Sequence, residues 1–307
     1  MNCLEWDHVW ARYGRPWALK DLSLAAEPGC LLAVMGLAGA GKSTLLRVAS
    51  GGLGAESGRV WVDGRSANRG RARVLGSEET VPGAATVERF IERRIHKAAP
   101  TGRGADRRVK KALRAWDLDG VRGARIRTLP DSVRARVSLA AQWAAPAAAW
   151  LLDDPGARLD PEWRSALPAL LKAWLEAEQG AIVLATHDAE TAASADRVAI
   201  LSAGRVAVVG APPVLCSACA REEVLVRTLD NDAAAADLRS TLHIEAEHVA
   251  DGLRMRLRRA DAALPGILET LGPRIETVWI RKPTLRDAVR HFSSLPAAAD
   301  APVRPPR

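Results

Sequence analysis

Residues 4–35 alternate apolar and polar positions in short stretches, the period-two pattern of half-buried strands joined as hairpins. Residues 31–35 are an apolar strand-like run, and 45–49 a helix-like one. From residue 86 the spacing lengthens to that of amphipathic helices, which predicts helices over 86–97, 105–116 and 132–144, the last ended by Pro146. A short buried strand follows at 150–152. An amphipathic helix covers 162–176, where Pro168 is expected to kink or split it. Another buried strand lies at 181–185, and 197–201 and 205–209 read as strands paired through a turn at Gly204. Strands alternating with helices predict an α/β domain with a largely parallel sheet.

Beyond Ala211-Pro212-Pro213 the pattern restarts. Strands are predicted at 223–227, 243–247, 253–257 and 275–280, with helices at 233–238 and 260–271. That βαββαβ order indicates a small ferredoxin-like α+β module. A last helix covers 283–292. The expected division is a first domain over 1–215, a second over 220–292 and a disordered Pro- and Ala-rich tail over 293–307.

The strand-like run at 31–35 leads into Gly36-Leu37-Ala38-Gly39-Ala40-Gly41-Lys42-Ser43-Thr44, which fits G-x-x-x-x-G-K-[ST] and opens a helix. Glycines let the backbone N–H groups turn inward around a phosphate chain. Lys42 can reach the β- and γ-phosphates, and the Ser43 hydroxyl can ligate Mg²⁺. The helix N-terminus adds a dipole favourable to anions. A chance glycine-rich turn is the bland alternative, and the strand–loop–helix context argues against it. Further on, Trp150-Leu151-Leu152-Asp153-Asp154-Pro155 is an apolar strand ending in two carboxylates, and Asp153 is placed to hold a Mg²⁺ shell beside such a loop.

Together these segments resemble the ATP-binding cassette (ABC) ATPases, specifically the ATP-binding subunits of ABC-2-type exporters such as the daunorubicin-type drug-efflux ATPases. The resemblance runs over roughly 4–292. "RYG" places Tyr13 where the family stacks an aromatic on adenine. "GLAGAGKSTLLRVASGGLGAESGRVWVDG" matches the P-loop and the strand pair after it, and "WLLDDPGARLDP" the Walker B strand and the loop carrying Asp160. "LATHDAETAASADRVAILSAGRV" places His187 at the switch-histidine position, and "RKPTLRDAVRHF" resembles the drug-exporter ending. The resemblance implies a RecA-like P-loop core, an antiparallel β subdomain and a helical subdomain at about 83–145 that carries the coupling surface. It implies Tyr13, Gly36, Leu37, Ala38, Gly39, Ala40, Gly41, Lys42, Ser43, Thr44 and Asp160 as nucleotide-binding positions. Ser43 and Asp153 would be the metal positions, and Asp154 and His187 the catalytic ones, with ATP and Mg²⁺ as cofactors.

Three positions depart from the family pattern. The signature, usually Leu-Ser-Gly-Gly-Gln, starts 24 residues before the Walker B aspartate, and here that stretch reads Leu129-Pro130-Asp131-Ser132-Val133. In the family its backbone N–H groups and Ser hydroxyl bind the γ-phosphate held by the opposite subunit. Pro130 has no N–H to offer, Asp131 brings a negative charge, and Ser132 retains a hydroxyl that can cap the following helix. Asp154 stands where the family has a catalytic Glu, and its carboxylate is one methylene shorter. A misplacement of about 1 Å can cost on the order of 100-fold in rate. The Mg²⁺-contacting Gln should fall near Ser77, where Ser77, Glu78 and Glu79 stand instead.

Composition narrows the picture further. The chain of 307 residues is long enough for two domains. No apolar run approaches the ~18–20 residues of a membrane span, and MNCLEWDHVW has no signal-peptide pattern. The net charge of +8 permits an anionic partner, but the arginines are scattered over 65–136 and 254–290, as a compositional bias would scatter them. Cys216-Ser217-Ala218-Cys219 has C-x-x-C spacing without a second pair or nearby His, which reads as structural rather than as a metal or redox site.

The expected protein is therefore a cytoplasmic ATP-binding subunit, held peripherally on the inner face of the membrane by a separate permease and paired with a second ABC ATPase subunit. It would hydrolyse ATP slowly on its own, and no nucleic-acid partner is expected. The alternatives are a degenerate regulatory subunit that binds ATP with little hydrolysis, and a soluble ABC protein acting on ribosomes or DNA. The latter usually carry two cassettes or long coiled-coil insertions, which this sequence lacks.

Overall fold

The computed structural model describes residues 3–66, 72–75, 83–99, 104–219 and 222–294. Ser77, Glu78, Glu79 and the tail from Leu295 lie outside them. The described residues up to Pro212, with those from Phe292, form one compact unit, and those of Pro213–His291 form another.

In the first unit, β1 (Leu4–Arg12) and β2 (Trp17–Ala26) are the hairpin that the alternating pattern predicts. With β4 (Ser57–Val62) and β5 (Arg65–Ser66) they form an antiparallel sheet in the order β2-β1-β4-β5. β3 (Leu31–Gly36) follows the hairpin in sequence but leaves it, because all six of its residues are buried. It enters a six-stranded sheet with β6 (Ala72–Leu75), β7 (Ala149–Asp153), β8 (Ala181–Ala185), β9 (Arg197–Ser202) and β10 (Arg205–Gly210), ordered β10-β9-β3-β8-β7-β6. Every pair in it is parallel except β9 with β10, which turn back at Gly204. The strands read as near-continuous apolar runs because both faces of a parallel sheet are covered. The core joins the two sheets through Trp6, Leu19, Leu22, Leu45, Leu46, Leu151 and Val183.

The helices supply the rest of the cover. α1 (Lys42–Ala49) leaves β3 through the P-loop. α2 (Val87–Ala98), α3 (Ala105–Ala115) and α4 (Asp131–Ala144) build the helical subdomain. α5 (Pro161–Glu178) is neither split nor ended at Pro168. Pro168 removes one helical bond at a cost of ~3 kcal/mol. The buried stripe Leu167, Leu171, Trp174 and Leu175 on the sheet side outweighs it. α6 (Ala189–Ala193) is a single short turn after β8.

α7 (Pro212–Cys219) carries Cys216 and Cys219, both with free thiols. In the second unit β11 (Glu222–Thr228), α8 (Asn231–Leu242), β12 (Glu247–Val249), β13 (Gly252–Leu257), α9 (Ala260–Leu271) and β14 (Ile275–Arg281) follow the βαββαβ order. The antiparallel sheet β12-β13-β11-β14 has the ferredoxin-like strand order, with a core of Val224, Val226, Leu238, Met255 and Ile267. The second strand starts at Glu247, not at residue 243, because α8 runs to Leu242 and His243 takes the left-handed cap conformation at φ 54°. α10 (Leu285–Ser294) is the last described element.

Candidate functional site

Of three neighbouring parallel strands, β7 and β8 end at one level and β3 runs two residues further. Val34 of β3 lies opposite Ala185 of β8, and Ala185 lies opposite Asp153 of β7. The loops that leave these strand ends converge, as they do at the carboxyl edge of open α/β sheets. The cavity there has a volume of about 520 Å³ and is lined by Ala38, Gly39, Ala40, Gly41, Lys42, Ser43, Thr44, Asp153, Asp154 and His187, with Ala18, Ala185 and Thr186 completing the wall.

The P-loop shape depends on two glycines. Gly36 sits at φ 151°, and a Cβ there would lie 2.4 Å from the Leu201 carbonyl oxygen. Gly41, the residue before α1, sits at φ 105°, and a Cβ would meet the Ala18 carbonyl oxygen at 2.7 Å and Leu19 Cδ2 at 2.9 Å. No L side chain fits either place without moving the backbone.

Lys42 is 7 % exposed, and its Nζ donates to the carbonyls of Gly36 at 2.9 Å and Leu37 at 3.0 Å. Burial holds its pKa below the ordinary lysine value, while the negative field of Asp153 and Asp154 opposes that shift. The ammonium is thus a fixed, poorly hydrated cation at the loop's centre. Ser43 is exposed at the start of α1. Asp153 is half-buried at the end of an otherwise fully buried strand.

Asp154 has a positive φ of 44°. Its N–H donates to the Ala185 carbonyl at 2.8 Å, and Thr186 Oγ1 donates to its carboxylate at 3.4 Å. Thr186 Oγ1 also accepts the Asp188 N–H at 3.0 Å, which pins the exposed His187 between two anchored neighbours. Burial would raise the Asp188 pKa, but the Thr191 hydroxyl and the amides of Glu190 and Thr191 hold it below the usual carboxylate value.

Four of the sequence-predicted positions do not line the cavity. Gly36 shapes it from behind through its carbonyl bond to Lys42. Leu37 is 54 % exposed at the loop's outer edge. Tyr13 is 52 % exposed between β1 and β2, where Arg47 stacks 5.8 Å from its ring centroid and donates to its hydroxyl at 3.3 Å. Asp160 is exposed and precedes the first residue of α5. Ala18 and Thr186 escaped the sequence reading. Ala18 arrives from the antiparallel sheet and belongs to no motif, whereas Thr186 stands directly between a buried strand and His187.

The signature position is an ordinary helix start. Pro130 precedes α4 and no side chain caps it, so Ser132 falls inside the first turn instead of capping it. Asp131, 71 % exposed in its side chain, is ion-paired to Arg134.

The residues present fit a nucleotide with Mg²⁺. The cavity unites an anion-binding loop, a buried cation, a hydroxyl and two carboxylates. Mg²⁺ is commonly bound by one or two protein oxygens plus substrate phosphates, as Ser43 and Asp153 would provide, and not by an all-protein cage. Among the described residues there is no cluster of three or more His, Cys, Asp or Glu that would make such a cage.

Comparison with known proteins agrees with this geometry. Residues 19–157 match the family described as ABC transporter. The chain is 36 % identical over 172 residues to the cytochrome c biogenesis ATP-binding export protein CcmA of Xanthomonas axonopodis pv. citri, covering 56 % of this chain and 80 % of that protein. It is 33 % identical over 211 residues to the sulfate/thiosulfate import ATP-binding protein CysA of Caulobacter vibrioides, covering 66 % of this chain and 62 % of that one. Its fold matches a solved ATP-binding subunit of an ABC transporter with a TM-score of 0.65 at 21 % identity, over 69 % of this chain and 91 % of that one. The chain belongs to the ATP-binding subunits of ABC transporters, a family of ATP hydrolases.

Proposed function

We propose that this chain is the Mg-ATP-binding subunit of an ABC-2-like exporter and drives a separate membrane permease. The observation that carries the reading is the single cavity in which P-loop residues 38–44, Asp153, Asp154 and His187 meet. The P-loop amides and Lys42 bind the phosphate chain, and Tyr13 stacks on adenine from the β1–β2 turn. Ser43 and Asp153 would hold Mg²⁺, which would supply charge neutralisation. Asp154 orients the attacking water, Thr186 steadies Asp154, and His187 hydrogen-bonds the γ-phosphate. Asp160 lies on the surface that faces a second ATPase subunit. ATP binding closes two such subunits over two nucleotides, and hydrolysis reopens them and moves the permease.

Export rather than import rests on the Arg281-Lys282-Pro283-Thr284-Leu285 ending and on the likeness to an export protein, although relatives of both directions are similar to this chain. Among the described residues no helix is long and apolar enough to cross a membrane, so the membrane contact would come through the permease. A slow, partly regulatory role is the second reading, and Pro130 favours it by withholding an amide from the signature. Co-expression with a multi-span ABC-2-type permease from the same genome, followed by affinity isolation from detergent-solubilised membranes, tests the main reading. Stoichiometric co-purification is expected. Recovery of the chain with ribosomes or DNA and without a membrane protein would overturn it.

A further inference from the structure

The net charge of the chain is carried by one region. Residues 83–145 hold 15 Lys and Arg against 6 Asp and Glu, a net +9 where the whole chain has +8, so the remainder is close to neutral. The scatter seen along the sequence resolves in three dimensions. Arg107, Lys110, Lys111 and Arg114 recur at helical spacing and are all exposed on one face of α3, while Val109, Ala112 and Leu113 are buried on the other. Arg108 turns away from that face to Glu178, at 2.7 Å. Asp106 is the acidic side chain at the edge of the stripe, exposed like the cations. Among the described residues no carboxylate lies within ion-pair distance of Arg107, Lys110, Lys111 or Arg114, and Lys111 rests 5.1 Å from the Trp143 ring centroid.

A protein partner would need buried anchors beside the arginines, since interface cores are poor in lysine and hot spots combine Trp, Tyr and Arg in desolvated pockets. Among the described residues, the basic face of α3 offers none. The exposed large apolar side chains of the described residues are Tyr13, Leu37, Val214, Leu229, Leu268, Trp279 and Ile280. A row of long, flexible cations without anchors matches a flat array of phosphates. We infer that the basic face of α3 docks on anionic lipid headgroups beside the permease and gives the ATPase a weak electrostatic hold on the membrane. This rests on the reading of the chain as a membrane-associated subunit. Each cation within a Debye length of an anionic surface strengthens binding roughly fivefold, so four together contribute on the order of a hundredfold or more.

The test uses the full purified chain and permease-free vesicles, of phosphatidylglycerol and phosphatidylcholine in equal parts or of phosphatidylcholine alone. Sedimentation should show binding to the anionic vesicles only, falling at least tenfold between roughly 50 and roughly 300 mM salt. Replacing Arg107, Lys110, Lys111 and Arg114 with Gln should abolish it while ATP binding, the measure of correct folding, is retained. Replacing Arg239, Arg258, Arg286 and Arg290 with Gln removes the same charge elsewhere and should leave most of it. Equal loss in both variants, equal binding to both vesicle types, or tighter binding to duplex DNA than to the anionic vesicles would each overturn the inference. The salt and lipid dependence of the wild type stands even if the α3 variant fails to fold. Failure with bare vesicles leaves permease recruitment intact, and failure to co-purify with a permease leaves the lipid result intact.

Discussion

The P-loop and the start of α4 are held by the fold to very different degrees. At the P-loop, Gly36 and Gly41 admit no Cβ, and the ammonium of Lys42 is buried against the loop's own carbonyls. At the start of α4, Pro130 and Asp131 are exposed, and Asp131 finds a partner in Arg134 one turn on. Substitutions in the first stretch disturb folding and nucleotide contact together. Substitutions in the second touch few neighbours, so their effects report on phosphate chemistry with little structural background. On the proposed reading both stretches act on one nucleotide, from opposite subunits. This chain keeps the P-loop sequence and departs from the pattern at the start of α4, as it also does at Asp154.

The largest effect that probes this contrast is expected from Lys42→Ala. It removes two or more charge-assisted bonds to the phosphates, each worth about 1.5–3 kcal/mol, so ATP affinity by calorimetry should fall roughly 100-fold or more. Equal affinity in wild type and variant would remove the P-loop from the centre of the account. Next comes the start of α4. Isolated wild-type protein should turn over ATP well below the ordinary enzyme rate of roughly 10 per second, with binding retained. Asp154→Glu alone should change kcat little. Pro130→Ser, Asp131→Gly and Ser132→Gly together, added to Asp154→Glu, should raise it by more than the product of the separate changes, because the groups act on one transition state. A single lost donor of this kind costs ~10²–10³, which sets the scale of recovery. Strict additivity would mean that the start of α4 does not meet the nucleotide. The third effect separates the paired carboxylates. Asp153 ends a strand buried along its length, while Asp154 sits in the strained turn after it. Asp153→Asn should abolish the Mg²⁺ dependence of ATP binding and Asp154→Asn should spare it. The reverse result would exchange their roles.

The legibility of these regions differs for a physical reason. The P-loop is a contiguous run whose residue types each answer a local need, so its place in the fold could be read directly. The same holds for the apolar strand closed by Asp153 and for the segment around His187. Ala18 reaches the cavity because β2 packs across the P-loop, a long-range consequence with no local mark. The basic face has no mark along the chain; positions 107, 110, 111 and 114 look scattered until folded at 3.6 residues per turn. The second strand of the small module starts four residues later than its apolar pattern predicts because α8 continues to Leu242 and His243 forms its cap. That α5 runs unsplit through Pro168 is not legible from the proline, because the burial beneath the helix is set by distant strands.

The smallest effect belongs to the turn that anchors His187, and it asks whether the constrained region extends beyond the P-loop. Asp188 begins α6, accepting the amides of Glu190 at 3.1 Å and Thr191 at 3.3 Å, and the Thr191 hydroxyl as well. Its own N–H holds Thr186 Oγ1, which in turn reaches Asp154. Asp188→Ala should cost about 1 kcal/mol, the usual value of a lost N-cap, read as a shift in urea midpoint at unchanged slope. The pH dependence has a definite sign. Asp188 titrates below its unfolded value of 3.8, so its contribution is complete above that value and is lost as the pH falls through the folded one. Wild type and variant should therefore differ in stability at neutral pH and converge in strong acid. Asp188→Asn keeps a capping oxygen and should recover most of the loss at neutral pH. A variant as stable as wild type at neutral pH but less active would show that Asp188 positions His187 without stabilising the fold. Loss of both would tie the histidine turn to the same rigid frame as the P-loop.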